Sequence, residues 1–428
     1  MLEACGLSST EELFTAIPEA LRLAGGLDMP DGLSEPDVVF ETQRLAARNS
    51  GADLVCFAGC GVYDHEVPAA VRRLAFRSEF VTAYTPYQPE VAQGVLQMLF
   101  EYQTLVSRLA GLKVANASLY DGASALVEAA NLAVASTGRS TVWVSEGIHP
   151  TWREVLRTYA KGTGHELVSV PLRDGVTAWP DTGGEPAAVL MGQPNHLGCI
   201  EDVKAAADLV HGLGGLCVVA ADPVAAGLLR SPGELGADVV VGEGQPFGTP
   251  MSFGGPFVGL FATTLEQVRR LPGRLVGETV DTEGRRAYVT TLRAREQDIR
   301  REKASSNVCT NQTLIAVAFA IQLSWLGTSG LRELALRCAR GTRYCREALL
   351  AIDGVEPLAN APVLREFSLA LPVSPTTVVD RLAEEGFLAG VPLEAGTHQP
   401  EGLAVAVTER RTRSEIDAFA AAFEKAVR

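Results

Sequence analysis

From residue 112 to 262, short apolar runs rich in β-branched residues alternate with helical stripes, and this rhythm restricts the fold more than any other feature of the 428-residue chain. The runs 112–117, 141–145, 166–170, 187–191, 216–221 and 237–242 predict strands. Helices are predicted from the turn 120–124 to about 136, after His149-Pro150, and over 200–213. Strands separated by helices must cross over to pair, so the expectation is an α/β domain with a doubly wound, mostly parallel sheet. A further helix precedes it, with Pro89 as its first residue and Glu90 in its first turn. Its apolar stripe is Val91, Val95, Met98, Leu99, Tyr102, Leu105, Val106 and Leu109, ended by Gly111.

The run 216–221 ends on an acid, Asp222. At the carboxyl edge of such a sheet ligands bind, and an aspartate there can hold the pyridinium nitrogen of pyridoxal phosphate (PLP). The run 237–242 then leads into Glu243-Gly244-Gln245, the place for a Schiff-base lysine, followed by the glycine-rich turn Gly254-Gly255-Pro256-Phe257. Gln245 has no amine that can form an imine. The chain holds five lysines, at 113, 161, 204, 303 and 425, and none stands between 204 and 303. The layout is that of a PLP site without its covalent anchor. Its other expected parts are Gly122 and Ser124, at a helix start where a phosphate could rest, and His149, whose imidazole could stack on a pyridine face. Each has a structural alternative. Asp121 as an N-cap would take the same N–H groups and repel a phosphate, which favours a capped helix over a working phosphate site. His149 could simply open its helix, and the residues favour neither role.

Around this core the sequence divides into an N-terminal helical arm (1–54) broken by Pro18, Pro30, Gly32 and Pro36, a large domain (55–325) and a small C-terminal α+β domain (326–428). Strands at 366–371 and 403–408, a helix over 374–385 and a last helix capped by Ser414 and Asp417 make up the small domain. Tyr84-Thr85-Pro86-Tyr87-Gln88-Pro89 must be extended before its two prolines. Its phenols and amide, Tyr84, Tyr87 and Gln88, are the expected contribution in trans to another chain's active site, with Asn307 a second candidate. The basic cluster Arg293, Arg295, Arg300, Arg301 and Lys303 could steer an anionic partner, although a solvated helix face is the default for such a run.

The remaining signals are mostly exclusions. Eight cysteines are scattered as reduced core thiols, and Cys56 and Cys60, with His65 near, lack the paired spacing of a metal site. A net charge of −14 disfavours nucleic acid and anionic membrane surfaces. No apolar run approaches the length of a membrane span and the start lacks a signal-peptide layout, so a cytoplasmic location is expected.

The blocks TAYTPYQPEVAQG, ANASLYDGASALVEAANLAV, EGQPFGTPMSFGGPFVGLFA and LPGRLVGETVDTEGRRAYVTTLRAREQDIRREKASSNVCTNQ resemble the amino-terminal half of glycine decarboxylase, the P-protein of the glycine cleavage system. More narrowly they resemble the separate subunit 1 of the bacterial two-subunit form, over residues 57 to 326. The resemblance implies a PLP-dependent transferase-like fold (fold type I) and a paralogous partner, subunit 2, that carries the lysine and the covalent PLP. It also implies two copies of each subunit and, as the reaction, glycine dehydrogenase chemistry. Glycine is decarboxylated and its aminomethyl group passes to the lipoyl arm of H-protein, with this chain inactive alone. Two other readings are a self-sufficient PLP enzyme using Lys303, and a non-catalytic scaffold or regulatory paralogue on a dead PLP fold.

Overall fold

The computed structural model describes residues 1–23, 25–81, 86–180, 184–395 and 401–428. Its contacts divide the chain into two units, Met1–Asp53 and Leu54–Arg428. In the first, three 3-10 turns precede helix α1 (Glu35–Ala46), whose N-cap Ser34 accepts the Asp37 N–H. None of the residues of α1 or of the three turns before it is buried, so these helices build no core of their own.

The second unit opens with β1 (Val55–Cys56), α2 (Ala69–Ala75), α3 (Gln93–Ala110), β2 (Val114–Ala115), α4 (Gly122–Thr137), β3 (Thr141–Ser145), α5 (Pro150–Thr163) and β4 (Glu166–Val170). A small hairpin of β5 (Leu172–Arg173) and β6 (Val176–Thr177) leads to β7 (Ala188–Gln193), α6 (Val203–Gly212), β8 (Leu216–Ala221), β9 (Val239–Glu243) and β10 (Gly259–Thr263). Seven of these strands form one sheet in the order β2-β10-β9-β8-β7-β3-β4. Only β10 runs antiparallel to its neighbours. Alternate side chains of the central strands enter different cores. Val189, Met191, Cys217 and Val219 join one, while Ala188, Leu190 and Val218 join the other. Strands buried on both faces explain the near-continuous apolar runs of the sequence.

The chain continues through a hairpin, β11 (Val276–Val280) and β12 (Arg286–Thr290), then α7 (Gln297–Arg300) and the long α8 (Thr313–Leu350), which is broken by non-helical Gly327. Among the described residues α8 is long and apolar enough to cross a membrane, contrary to the expectation that no segment comes near that. Its buried Ala316, Phe319, Ala320 and Leu323 belong to the core shared with α3, and this accounts for its composition. The C-terminal part of this unit holds β13 (Glu356–Pro357), β14 (Glu366–Ala370), α9 (Pro375–Glu384), β15 (Phe387–Leu388), β16 (Val391–Leu393), β17 (Gly402–Ala406) and α10 (Arg413–Val427). Residues 55–57 pack with these elements. β1 pairs in parallel with β15, and Phe57 stacks on Phe419 with ring centroids 4.0 Å apart.

Two helix starts differ from expectation. Pro89 and Glu90 lie in a turn, with the N–H groups of Val91 and Ala92 on the Gln88 carbonyl, and Val91 is 80% exposed. The helix begins at Gln93, where the side-chain amide grips the Tyr288 backbone of β12 at both N–H (2.8 Å) and C=O (2.9 Å). Helix α10 is capped by Thr412, not by Ser414 and Asp417. Thr412 and Glu415 exchange side-chain and backbone hydrogen bonds in a capping box.

Candidate functional site

The carboxyl ends of β3, β7, β8 and β9 open onto a cleft of about 90 Å³, closed from the other side by residues 60–63 and by Arg365 and Glu366 at the start of β14. This is the ligand edge of an open α/β sheet. Gln245, two residues beyond β9, is 1% exposed. Its Nε2 donates to the carbonyls of Tyr63 (3.2 Å) and Thr249 (2.9 Å), and its Oε1 accepts the Tyr63 N–H at 3.2 Å. The amide is a clamp between two backbone segments.

Glu243 ends β9 inside the cleft, and its carboxylate accepts three backbone N–H groups, each at 3.0 Å. Oε2 takes that of Gly122, while Oε1 takes those of Gln245 and Val258. Burial pushes its pKa up to about 7, against the pull of those donors. Asp121 caps α4 as the sequence predicts, accepting the Ser124 N–H at 2.7 Å. A Cβ on Gly122 would lie 2.2 Å from the Trp152 ring, so only glycine lets that ring close over the helix start.

At the end of β8, Asp222 Oδ1 accepts the Val224 N–H (2.9 Å) and Oδ2 lies 2.8 Å from Arg365 Nε. That contact is an ion pair without an aligned hydrogen bond. The guanidinium lies over the Tyr63 ring, its carbon 3.4 Å from the centroid, and also donates to His65 Nε2. His65 Nδ1 in turn meets Glu409 at 2.6 Å, which sets its proton on Nδ1. Burial works against the Arg365 charge, but Asp222, Tyr63, Cys338 and Glu366 together outweigh it and the guanidinium stays ionised. Glu366 accepts from Tyr63 Oη (3.0 Å) and Cys60 N (2.6 Å), and burial raises its pKa. His149 caps α5 through Nδ1, which accepts the Thr151 N–H at 3.2 Å, and its ring also lines the cleft. Burial lowers its pKa and that of His196, the latter to about 4, so both imidazoles are neutral at physiological pH.

The family profile described as "Glycine cleavage system P-protein" matches residues 1–423. The chain belongs to the glycine cleavage system P-protein family. A "Probable glycine dehydrogenase (decarboxylating) subunit 1" of Moorella thermoacetica is 49% identical over 99% of this chain and 96% of its own length. Its counterpart in Brevibacillus brevis is 46% identical over 100% and 96%. A crystal structure of glycine decarboxylase (P-protein) of the glycine cleavage system, in inhibitor-bound form, superposes with a TM-score of 0.95 at 47% identity, covering 100% of this chain and 97% of that one. An alanine–glyoxylate aminotransferase from Nostoc (TM-score 0.61, 16% identity, 88% and 96% covered) shares the fold alone, which is the PLP-dependent transferase-like fold type I.

The PLP implied by this P-protein fold does not fit the residues present. Asp222 is committed to Arg365, and the Gly122 and Ser124 N–H groups are taken by Glu243 and Asp121. All five lysines, Lys303 included, are exposed and none lines the cleft. Of the expected set His149, Asp222, Gly122 and Ser124, the Asp222 carboxylate and the Gly122 and Ser124 N–H groups are engaged within the chain, while His149 keeps its ring on the cleft.

Of the residues expected to act in trans, Tyr84 lies outside the described residues. Tyr87 turns inward. Its hydroxyl bonds Thr310 Oγ1 (2.6 Å) and the Asn311 side chain, and Arg274 sits over its ring at 4.9 Å. Gln88 and Asn307 are exposed. The basic cluster is no single helix face. Arg295 is partly buried and donates to the Leu271 carbonyl, Arg293 pairs with Asp298 at 3.1 Å, and Arg300, Arg301 and Lys303 are exposed on short turns. His65 does stand among metal-ligand types, with Cys338 and Glu409 and not with Cys56 and Cys60. The Arg365 guanidinium on His65 and burial that holds the Cys338 thiol protonated make this a poor cation site.

Glu243, Tyr63 and Arg365 are absent from the sequence-level site. Glu243 could have been found by the logic applied to Asp222, since it is also an acid at the end of a buried strand. Arg365 stands more than a hundred positions further on and carries no local signal.

Proposed function

We infer that this chain is subunit 1 of a two-subunit decarboxylating glycine dehydrogenase. Its partner, a lysine-bearing subunit 2, holds PLP covalently and supplies the electron sink for removing the glycine carboxylate. The aminomethyl group then passes to the lipoyl arm of H-protein. The observation that carries this reading is Gln245, buried and fully hydrogen-bonded at the position of the Schiff-base lysine in a fold otherwise kept whole. Relatives of nearly equal length, described as subunit 1, support the division of labour. The same proposal includes two copies of each subunit and a cytoplasmic location.

Exposed apolar groups on the loop after Gln245 fit a chain completed by another. Phe253 is 95% exposed and Met251 42%, both in the loop that follows Gln245. The test is co-expression with the lysine-bearing subunit, followed by glycine–bicarbonate exchange with lipoylated H-protein. Exchange is expected only when both subunits are present. Full activity of the lysine-bearing subunit alone would reduce this chain to the scaffold reading, and a borohydride-fixed adduct on this chain would revive the self-sufficient one.

A further inference from the structure

Two side chains of the cleft occupy the places of the two charged ends of a pyridine 5′-phosphate. At one end, the Glu243 carboxylate collects N–H groups from three separate segments: the start of α4, the exit of β9 and the approach to β10. Converging N–H donors beside a helix N-terminus make a cup for a phosphate oxyanion, and here a carboxylate fills it. At the other end, the charge that meets Asp222 is the flat guanidinium of Arg365, at 2.8 Å, with the Tyr63 ring over its face. A planar cation, paired with the strand-end acid and stacked under an aromatic ring, has the form of a bound pyridinium. His196 also borders the cleft, with a buried Nδ1 that has no hydrogen-bond partner.

The two stand-ins come from distant stretches of the chain and are held by different partners, Glu243 by the backbone and Arg365 by Asp222, Tyr63 and His65. Neither is a by-product of the other. We propose that Glu243 and Arg365 replace the charged ends of a pyridine 5′-phosphate cofactor from within the chain, so that this subunit folds with its cofactor site already filled, and that removing both uncovers a site for that class of ligand. Without them the fold would bury an unpaired aspartate and several unpaired N–H groups, a strongly destabilising combination. The inference rests on this chain's own geometry and stands apart from the two-subunit reading.

Pyridoxine 5′-phosphate is the probe, because it lacks the aldehyde that would react with surface lysines. The full-length wild-type chain is expected to show no calorimetric binding and no shift in melting temperature. The double variant Glu243→Ala/Arg365→Ala is expected to bind at least roughly tenfold more tightly than wild type, to melt higher with the probe present, and to release it to excess inorganic phosphate. Should the double variant not fold, Glu243→Ala alone decides. With Arg365 still on Asp222 it should take inorganic phosphate roughly tenfold more tightly than wild type. A folded variant that binds its probe no better than wild type, or a wild-type chain that binds pyridoxine 5′-phosphate as tightly as the double variant, overturns the proposal.

Discussion

Gln245 and Tyr63 join side-chain amide to backbone amide, each donating to the other at 3.2 Å. The pairing ties the loop after β9 to the segment that closes the cleft, so the residue at the lysine position has become part of the wall. Gln245→Lys is therefore expected to form no aldimine with added PLP. The phosphate cup holds Glu243 and the strand-end acid holds Arg365. Lysine also cannot accept the Tyr63 N–H, and the loss should cost about 1–3 kcal/mol of stability. Absorbance after borohydride reduction and thermal melting read the two effects; a stoichiometric adduct at position 245 would refute the expectation.

Glu243 makes stability depend on pH. Burial raises its pKa from 4.5 to about 7, so the folded chain binds an extra proton between those values. The native state therefore loses stability as pH rises through this window. For a shift of that size the loss is about 3 kcal/mol. Glu128, which burial also brings to about 7, adds a similar slope. Denaturant melts at pH 5 and pH 8 should show a smaller decline in Glu243→Gln than in wild type, and equal declines would mean that Glu243 does not titrate there.

Tyr87 has its hydroxyl engaged by Thr310 and Asn311 at the entry to α8. Tyr87→Phe should thus cost about 1 kcal/mol in the isolated chain. Turnover of the assembled complex should stay within about threefold of wild type. A tenfold fall in turnover without a change in stability would return the hydroxyl to a role in the partner's active site.

Phe253 stands almost wholly in solvent on the loop beyond Gln245. Phe253→Ser should leave the melting temperature of the isolated chain unchanged and weaken assembly with the lysine-bearing subunit by roughly tenfold, about 1.4 kcal/mol. Titration by analytical ultracentrifugation measures it; unchanged assembly would place the interface elsewhere.

Where local physics sets the structure, the sequence already showed it. The β-branched runs became strands within a residue or two, and Asp121 and Gly111 cap the helices they border. Misreadings arose where a distant partner decides the outcome. Gln93 starts α3 because β12 lies against it, and residues 55–57 join a strand more than three hundred positions later. The site was legible in part for the same reason. Asp222 announces itself at a strand end, but its partner Arg365 comes from the distant approach to β14, and no local pattern records that pairing.

Three side chains at separate places, an amide at 245, a carboxylate at 243 and a guanidinium at 365, each satisfy buried groups of the same site. A lineage that filled its site in this way cannot easily return to independence. Lysine at 245 gains nothing while the cup is full, and removing Glu243 or Arg365 alone leaves buried donors or a buried acid unpaired. Every single-step reversal is thus less stable than its starting point, and selection on stability alone would remove it. The cleft acts as an evolutionary ratchet, holding the chain to a partner through its own folding requirements as well as through the chemistry they share.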